Sequence, residues 1–352
     1  MNQHPYPLSP ALREFIARMP KAELHLHLEG TIAPATLLEI AQRNQVEIPA
    51  RDTDGVRQLF DYRDFHEFLT VFMALARALL YRKDFEQIGY ELGASLAQQQ
   101  VRYAEVMISP AQYFRRGMDL HEVIDGTLAG FAQAEHEFGV QLKLAFDYGR
   151  QFGVEQGWRI LEQVIAHGNG SVVAWSIGGD EVGHPPEPFA ELYEAARQAG
   201  MRVMAHAGEV VGPPSVWGAI DTLGAERLGH GIRSIEDPQL IEELRRRRVT
   251  LDVCPTSNVR TGAVASLQQH PLRRLFDAGL RVTVNTDDPV FFNTDLCGEY
   301  RLVAETFGFS SDELVQLVLN AVDAAFLAPA EHHALRQRFE IEIGRLRAEL
   351  GV

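Results

Sequence analysis

Apolar, β-branched runs alternate with amphipathic segments along most of this chain. We predict strands in eight of these runs, at 22–28, 102–108, 141–146, 172–177, 202–206, 227–229, 250–254 and 281–285. After the second run the starts fall roughly 25–40 residues apart, which is the spacing of repeated strand–helix units. Runs such as 172–177 are almost continuously apolar, and strands buried on both faces are typical of a parallel sheet covered by helices.

The segments between these runs have helical periodicity. Segments 188–199 and 237–247 each have a polar side, and apolar residues within 68–80 recur at the spacing of an amphipathic helix that packs on a core. The pattern therefore predicts an α/β fold, a (β/α)8 TIM barrel with extra helices between strands 1 and 2. A doubly wound open sheet is the main alternative, but no Gly-x-Gly-x-x-Gly motif follows the first run. Because no linker or low-complexity tract divides the chain, we expect residues 1–352 to form one domain.

Composition excludes several classes of protein. The chain has 33 Lys+Arg against 48 Asp+Glu, a net charge of −15, and polyanion or anionic-membrane binders need a positive field instead. Its two cysteines are too few for a disulfide framework or a four-cysteine zinc site. The N-terminus has no apolar signal-peptide run, and no apolar stretch is long enough to span a bilayer. We expect a soluble cytoplasmic protein that binds neither nucleic acid nor membrane.

Two histidines lie in the first predicted strand. His25 and His27 are two residues apart, so both side chains point to the same face, and the flanking leucines take the other. In a barrel this places two imidazoles inside, near the carboxyl end of the strand, where barrel active sites lie. Taken alone, the pair fits a structural role as well as a metal site.

Other predicted strands end in similar residues. His206 ends the fifth with Glu209 three residues beyond, His230 ends the sixth between two glycines, and Asp287 and Asp288 follow the eighth. A single strand-end histidine is more often structural, and a single Asp-Asp-Pro is more often a turn. Four strand ends of this kind, brought to one mouth by barrel closure, predict a metal-dependent catalytic centre. The remaining histidines, including His270, are expected on the surface or behind this centre.

The lysines bear on the number of metal ions. Only Lys21, Lys83 and Lys143 are present among the 33 basic residues, and none falls at the carboxyl end of a predicted strand. Barrel hydrolases with two metals commonly bridge them through a modified lysine at that position, so we expect one metal per chain. Imidazole and carboxylate ligands suit Zn²⁺, with Fe²⁺ and Mn²⁺ as alternatives.

Six motifs together resemble the adenosine deaminase family of the amidohydrolase superfamily. They occur in the order found in that family: ELHLHLEG (23–30), SIGGDE (176–181), HAGE (206–209), GHG (229–231), CPTSN (254–258) and NTDDP (285–289). The resemblance implies a zinc-dependent aminohydrolase that acts on a small-molecule purine nucleoside or base. The other zinc deaminase class, with an H-x-E…P-C-x-x-C site, is excluded because the chain has no C-x-x-C.

The resemblance also assigns roles to single residues. It implies one Zn²⁺ held by the metal ligands His25, His27, His206 and Asp287. The implied catalytic residues are Glu209, as proton shuttle beside the purine N1, His230, which orients the attacking hydroxide, and Asp288. The implied substrate-binding residues are His27, Glu29, the backbone N–H of Gly179 at N3, and Asp288 at N7. Glu29 stands where many adenosine deaminases have an aspartate that meets the ribose 5′-hydroxyl.

The substrate is the least determined part of this interpretation. Gly-Gly-Asp-Glu, rather than Gly-Gly-Pro-Glu, and the residues 258–264 favour a nucleoside, so we expect adenosine or 2′-deoxyadenosine to give inosine or 2′-deoxyinosine plus ammonia. Aminodeoxyfutalosine deaminase and adenine deaminase are the alternatives, and Glu29 and segment 212–217 resemble the former. A barrel that binds a metal or ligand without turnover is the alternative from another class, but it would need no positioned acid such as Glu209.

Overall fold

A computed structural model describes residues 6–62, 65–168, 170 and 172–352 of the chain. All eight predicted strands are present within these residues, and each pairs in parallel with the next in chain order. The strands are β1 (Lys21–His27), β2 (Val101–Ile108), β3 (Gln141–Gly149), β4 (Ala174–Gly178), β5 (Arg202–Ala207), β6 (Arg227–His230), β7 (Thr250–Val253) and β8 (Arg281–Val284).

Helices cover the outside of this sheet. The first half of the chain forms α1 (Pro10–Arg18), α2 (Pro34–Arg43), α3 (Thr53–Leu59), α4 (Phe65–Ala76), α5 (Arg82–Gln98), α6 (Pro110–Phe114), α7 (Leu120–Phe138) and α8 (Val154–His167). The second half forms α9 (Ala190–Gln198), α10 (Pro213–Asp221), α11 (Pro238–Arg247), α12 (Pro255–Arg260), α13 (Leu272–Asp277), α14 (Pro289–Phe292), α15 (Leu296–Phe307), α16 (Ser311–Ala324) and α17 (Pro329–Leu350). Among the described residues, no helix combines the length and the apolar character needed to cross a membrane.

The helices between β1 and β2 agree with the sequence pattern, except that the predicted helix within 68–80 ends earlier than expected. The extra helices expected there are α2, α3 and α4, followed by α5. The helix predicted within 68–80 is α4, and it ends at Ala76 because the chain then turns: Ala78 N–H donates to Leu75 O, and Leu79 N–H to Ala76 O. Leu79 is fully buried after this turn, so it still packs on the core although it lies outside the helix.

The segment that follows β8 closes the barrel against β1. The Asn285 side-chain oxygen accepts from the backbone N–H groups of Leu24 and His25, at 2.9 and 3.2 Å. Asp287 N–H then donates to His25 O, and His27 N–H to Asp287 O, at 3.1 and 2.8 Å. The predicted (β/α)8 barrel is confirmed, and its closure involves residues that the sequence assigns to the site.

The amino end of the barrel contains a buried ion cluster. The Arg227 guanidinium lies 2.5 Å from Glu105 Oε2 and 2.6 Å from Asp252 Oδ2. Its carbon lies 4.2 Å from the ring centroid of Phe326, which follows α16. Since Arg227 is the first residue of β6, this cluster fills the end of the barrel opposite the predicted site.

Candidate active site

The carboxyl ends of β1, β5, β6 and the segment after β8 bring five predicted residues together. The ring centroids of His206 and His230 lie 4.6 and 4.8 Å from that of His25, and those of His27 and His206 are 5.5 Å apart. All four imidazoles and Asp287 are buried. The group therefore sits inside the mouth of the barrel, shielded from bulk water.

Asp287 lies among these imidazoles. Its Oδ1 is 3.3 Å from Nε2 of both His25 and His27, and its Oδ2 accepts a 2.6 Å hydrogen bond from Ser257 Oγ. Asp287 has φ +66° and His230 has φ +61°, in the left-handed region that residues other than glycine rarely adopt. The closure bonds to β1 hold Asp287 in this conformation, and such strain is typical of functional sites.

The donor atoms in this group fit a divalent metal ion. Buried polar atoms normally form a hydrogen bond, yet both ring nitrogens of His25 and Nδ1 of His27 form none within the described structure. Donor atoms within 4.8 Å of one another form three overlapping sets: His25, His206, His230 and Asp287; His27, Asp147 and His206; His27, Asp287 and Asp288. Imidazole nitrogen and carboxylate oxygen are the donors that Zn²⁺ and similar ions prefer.

Two residues after or near the end of β3 orient His206, and the sequence analysis missed both. Asp147 Oδ1 lies 3.2 Å from His206 Nδ1, which leaves Nε2 of His206 for another ligand. The fully buried Arg150 donates from Nη2 to the backbone oxygen of His206. Asp147 is a polar residue within an apolar strand near its carboxyl end, so the pattern used for the other strands could have found it.

Glu181 fixes the loop that carries Glu209. Its carboxylate accepts from the backbone N–H groups of Gly208, Val210 and Val211 at 2.7–2.8 Å, on both sides of Glu209. Glu209 Oε2 then lies 3.6 Å from His230 Nε2. Burial, followed by the charges of Asp287 and Glu181, raises the pKa of Glu209 well above its usual range. The raised pKa favours the protonated form of the Glu209 carboxyl group.

Asp288 has a similar electrostatic environment. It is buried, and its Oδ1 has no hydrogen-bond partner in the described structure. Burial, and then the charge of Asp287, raises the pKa of Asp288 well above its usual range. A Cβ atom at Gly30 would lie 2.1 Å from Asp288 Oδ1, so only glycine leaves room for this side chain.

These residues form the floor of a cleft of about 710 Å³, counting its open mouth. One wall is apolar and comes mainly from α4, with Phe68, Leu69, Phe72 and Met73. The opposite side contains Gly179, at φ +78°, and Gln151, whose Oε1 accepts from Asp180 N–H at 3.2 Å. A flat heterocycle can therefore lie with one edge on polar groups and its faces near apolar side chains.

Two residues that bear on the substrate lie outside this cleft. Glu29 is buried beneath it, where Oε1 accepts from Ser109 N–H at 2.9 Å and from the Tyr113 hydroxyl at 2.8 Å. The Asp180 side chain is 46% exposed, and its Oδ1 accepts from Val182 N–H in a turn. Because this aspartate points away from the cleft, the preference for a nucleoside that was based on Gly-Gly-Asp-Glu has no support in the geometry.

A family model described as adenosine deaminase matches residues 20–341. The chain belongs to this family. It is 38% identical to the adenine deaminase of Streptomyces coelicolor over 330 residues. This alignment covers 94% of this chain and 97% of that relative. It is also 38% identical over 324 residues to the aminodeoxyfutalosine deaminase of Streptomyces avermitilis, covering 91% of this chain and 90% of the relative.

A solved structure of similar fold contains a zinc ion. An amidohydrolase from Burkholderia ambifaria with bound Zn is 29% identical, with a TM-score of 0.90 over 99% of this chain and 96% of that one. In the present deaminase, no lysine is among the residues that line the described cleft. Lys21 Nζ donates to Met19 O and Gln99 O, and Lys143 lies 3.7 Å from Glu331. Neither lysine therefore lies at the mouth of the barrel.

Proposed function

We propose that this deaminase hydrolyses the 6-amino group of free adenine, giving hypoxanthine and ammonia. The observation that carries the proposal is the position of Glu29. Many adenosine deaminases have an aspartate here that meets the ribose 5′-hydroxyl, whereas Glu29 lies below the cleft, where Ser109 and Tyr113 hold its Oε1, and Oε2 forms no hydrogen bond within the described residues. The 38% identity to an adenine deaminase supports the same choice.

Aminodeoxyfutalosine is the second candidate because a relative that is equally similar carries that name. A nucleoside carries its sugar and any substituent beyond the base, and an acidic substituent there would need a cation or several donors. Among the described residues, no arginine or lysine side chain lines the cleft. Adenine is neutral and needs no such counter-charge, so the cleft favours the free base.

We further propose that His25, His27, His206 and Asp287 hold one Zn²⁺. The overlapping donor sets and the zinc-bound relative support a metal ion at this position, and the resemblance to the family selects these four ligands from among the donors. When bound, the ion supplies the activation of water that hydrolysis at neutral pH requires. The fourth imidazole, His230, would then be free to stabilise charge on the attacking oxygen, because the other four residues would supply the protein ligands and a catalytic metal site keeps a further position open for water.

The other residues handle protons and orient the base. Glu209, protonated because of its raised pKa, donates to the purine N1 as water adds at C6. The resulting carboxylate takes up a proton from the oxygen that has added at C6 and passes it to the amino group, which leaves as ammonia. The second proton of the water restores the protonated Glu209. Asp288, also protonated, donates to N7, and the backbone N–H of Gly179 donates to N3. Three edge contacts of this kind select a 6-aminopurine.

One substrate panel tests the choice. We expect kcat/KM to be highest for adenine when it is compared with adenosine, 2′-deoxyadenosine and aminodeoxyfutalosine, in a preparation that contains about one transition metal ion per chain. Glu29→Asp should lower kcat/KM for adenine about tenfold, because the shorter side chain cannot reach both Ser109 and Tyr113. The exposed Asp180→Asn is the matched control. Faster turnover of any nucleoside than of adenine would refute the proposal.

A further inference from the structure

A chain of buried hydrogen bonds runs behind His230, away from the cleft. Leu272 N–H donates to His270 Nδ1 at 3.1 Å, and His270 Nε2 lies 3.1 Å from Asn258 Oδ1. Asn258 Nδ2 in turn lies 2.9 Å from His230 Nδ1. Asn258 and His270 are both buried, and they belong to α12 and to the loop before α13. The chain therefore connects a backbone amide to the imidazole that faces the reaction.

In this series of hydrogen bonds, the donor and acceptor of each bond determine the donor and acceptor of the next. A backbone N–H can only donate, so His270 Nδ1 is an acceptor. Burial lowers the pKa of His270 to about 4, so the ring is neutral and carries its single proton on Nε2. That proton must go to an acceptor, which makes the nearby atom of Asn258 its amide oxygen. If the Asn258 amide were rotated by 180°, its NH2 group would face the Nε2–H of His270, and two donors would be in contact.

The amide nitrogen of Asn258 consequently faces His230. It donates to His230 Nδ1, which must be unprotonated to accept. The neutral His230 ring then carries its proton on Nε2, the nitrogen that lies 3.6 Å from Glu209 and 3.8 Å from Asp287. An N–H donor, rather than a lone pair, is thereby directed at the space between the proposed metal ligands and the proton shuttle.

We propose that Asn258 and His270 are positioning residues that hold His230 in its Nε2–H tautomer. In this tautomer His230 donates a hydrogen bond to the attacking oxygen, and in the other it would present a lone pair to the negative charge that develops there. Removal of one donor to a developing oxyanion lowers kcat by about 10²–10³. The effect on rate rests on the proposed function, whereas the tautomer is a property of the protein alone.

Two variants of equal size separate polarity from packing. His270→Gln retains a donor for Asn258 and an acceptor for Leu272, so we expect kcat for adenine within about fivefold of the wild type. His270→Glu is measured at a pH above the raised pKa of a buried carboxyl group, because only the ionised form lacks a donor for Asn258. The ionised carboxylate turns the Asn258 amide round and shifts the His230 proton to Nδ1. We expect its kcat to fall about 100-fold, with KM changed by less than about threefold. An equal loss in both variants would show a packing role, and no loss in either would also overturn the proposal.

Nitrogen NMR of the histidine rings tests the tautomer without any reaction. In ¹⁵N-histidine-labelled wild-type protein, with or without metal, His230 should show a protonated Nε2 and an unprotonated Nδ1, with the signals assigned by their loss in His230→Gln. The pattern should be reversed in His270→Glu and retained in His270→Gln. A proton on Nδ1 of wild-type His230 would overturn the inference even if adenine is the substrate. The expected pattern in a protein that does not deaminate adenine would leave the tautomer established and refute only the proposed function.

Discussion

The two ends of the barrel bury charged side chains in opposite ways. At the amino end, Arg227 is paired with Glu105 and Asp252, and those carboxylates also accept from the hydroxyl groups of Tyr103 and Thr283. At the mouth, buried histidine nitrogens and a carboxylate oxygen lack partners within the described residues. Burial of charge alone therefore does not identify a site. What distinguishes the mouth is that its buried donor atoms converge, with imidazole nitrogens and carboxylate oxygens within 4.8 Å of one another. Single buried atoms without a hydrogen bond, such as the Tyr300 hydroxyl, also occur elsewhere in the described residues and do not mark a site.

The largest expected effect lies at the mouth. Glu209→Gln removes the proton that the carboxyl group donates, so kcat for adenine should fall by about 10²–10⁴ while the protein stays folded. Steady-state kinetics and thermal unfolding measure the two effects. The exposed Glu191→Gln on α9 is the control and should leave kcat unchanged. Near-normal turnover by Glu209→Gln would remove this residue from the proton-transfer role.

The amino end should show the reverse behaviour. Arg227→Met leaves two buried carboxylates without their counter-charge, and breaking a buried pair in this way costs about 3–5 kcal/mol of the free energy of unfolding. Urea unfolding measures this loss, and kcat per folded molecule should stay at the wild-type value. A variant that combines Arg227→Met with Glu105→Gln and Asp252→Asn should regain most of the lost stability. A fall in kcat without a loss of stability would contradict the contrast between the two ends.

The smallest effect concerns a carboxylate that has hydrogen bonds but no counter-charge. Glu299 accepts from Thr256 N–H and from the Thr294 hydroxyl, yet burial raises its pKa from 4.5 to about 7. The folded state therefore binds more protons than the unfolded state between these values. The stabilisation is complete below about pH 4.5 and is lost as the pH rises through about 7. Urea unfolding should show that Glu299→Gln removes about 1–3 kcal/mol of this pH dependence. Identical pH profiles for variant and wild type would exclude the shift.

The sequence was sufficient to predict the eight strands and the convergence of the strand-end histidines. Hydrophobic patterning marks buried strands, and a parallel barrel brings their carboxyl ends to one mouth, so His25 and His206 needed no coordinates to be placed together. The supporting residues could not be found in this way. Asn258 and His270 lie outside strands, and their connection to His230 depends on how α12 and the loop before α13 pack. The support that the sequence motif around Asp180 gave to a nucleoside substrate was not confirmed, because a motif does not show where a side chain points.

The closure between β1 and the segment after β8 has a consequence for the order of events in biosynthesis. The proposed ligands His25 and Asp287 are 262 residues apart in the chain, and the backbone bonds that join Asp287 to His25 and His27 also complete the barrel. During translation His25 is synthesised long before Asp287. Metal capture at the full site must therefore wait until β8 and the segment after it have docked on β1, so that an occupied centre indicates a closed barrel.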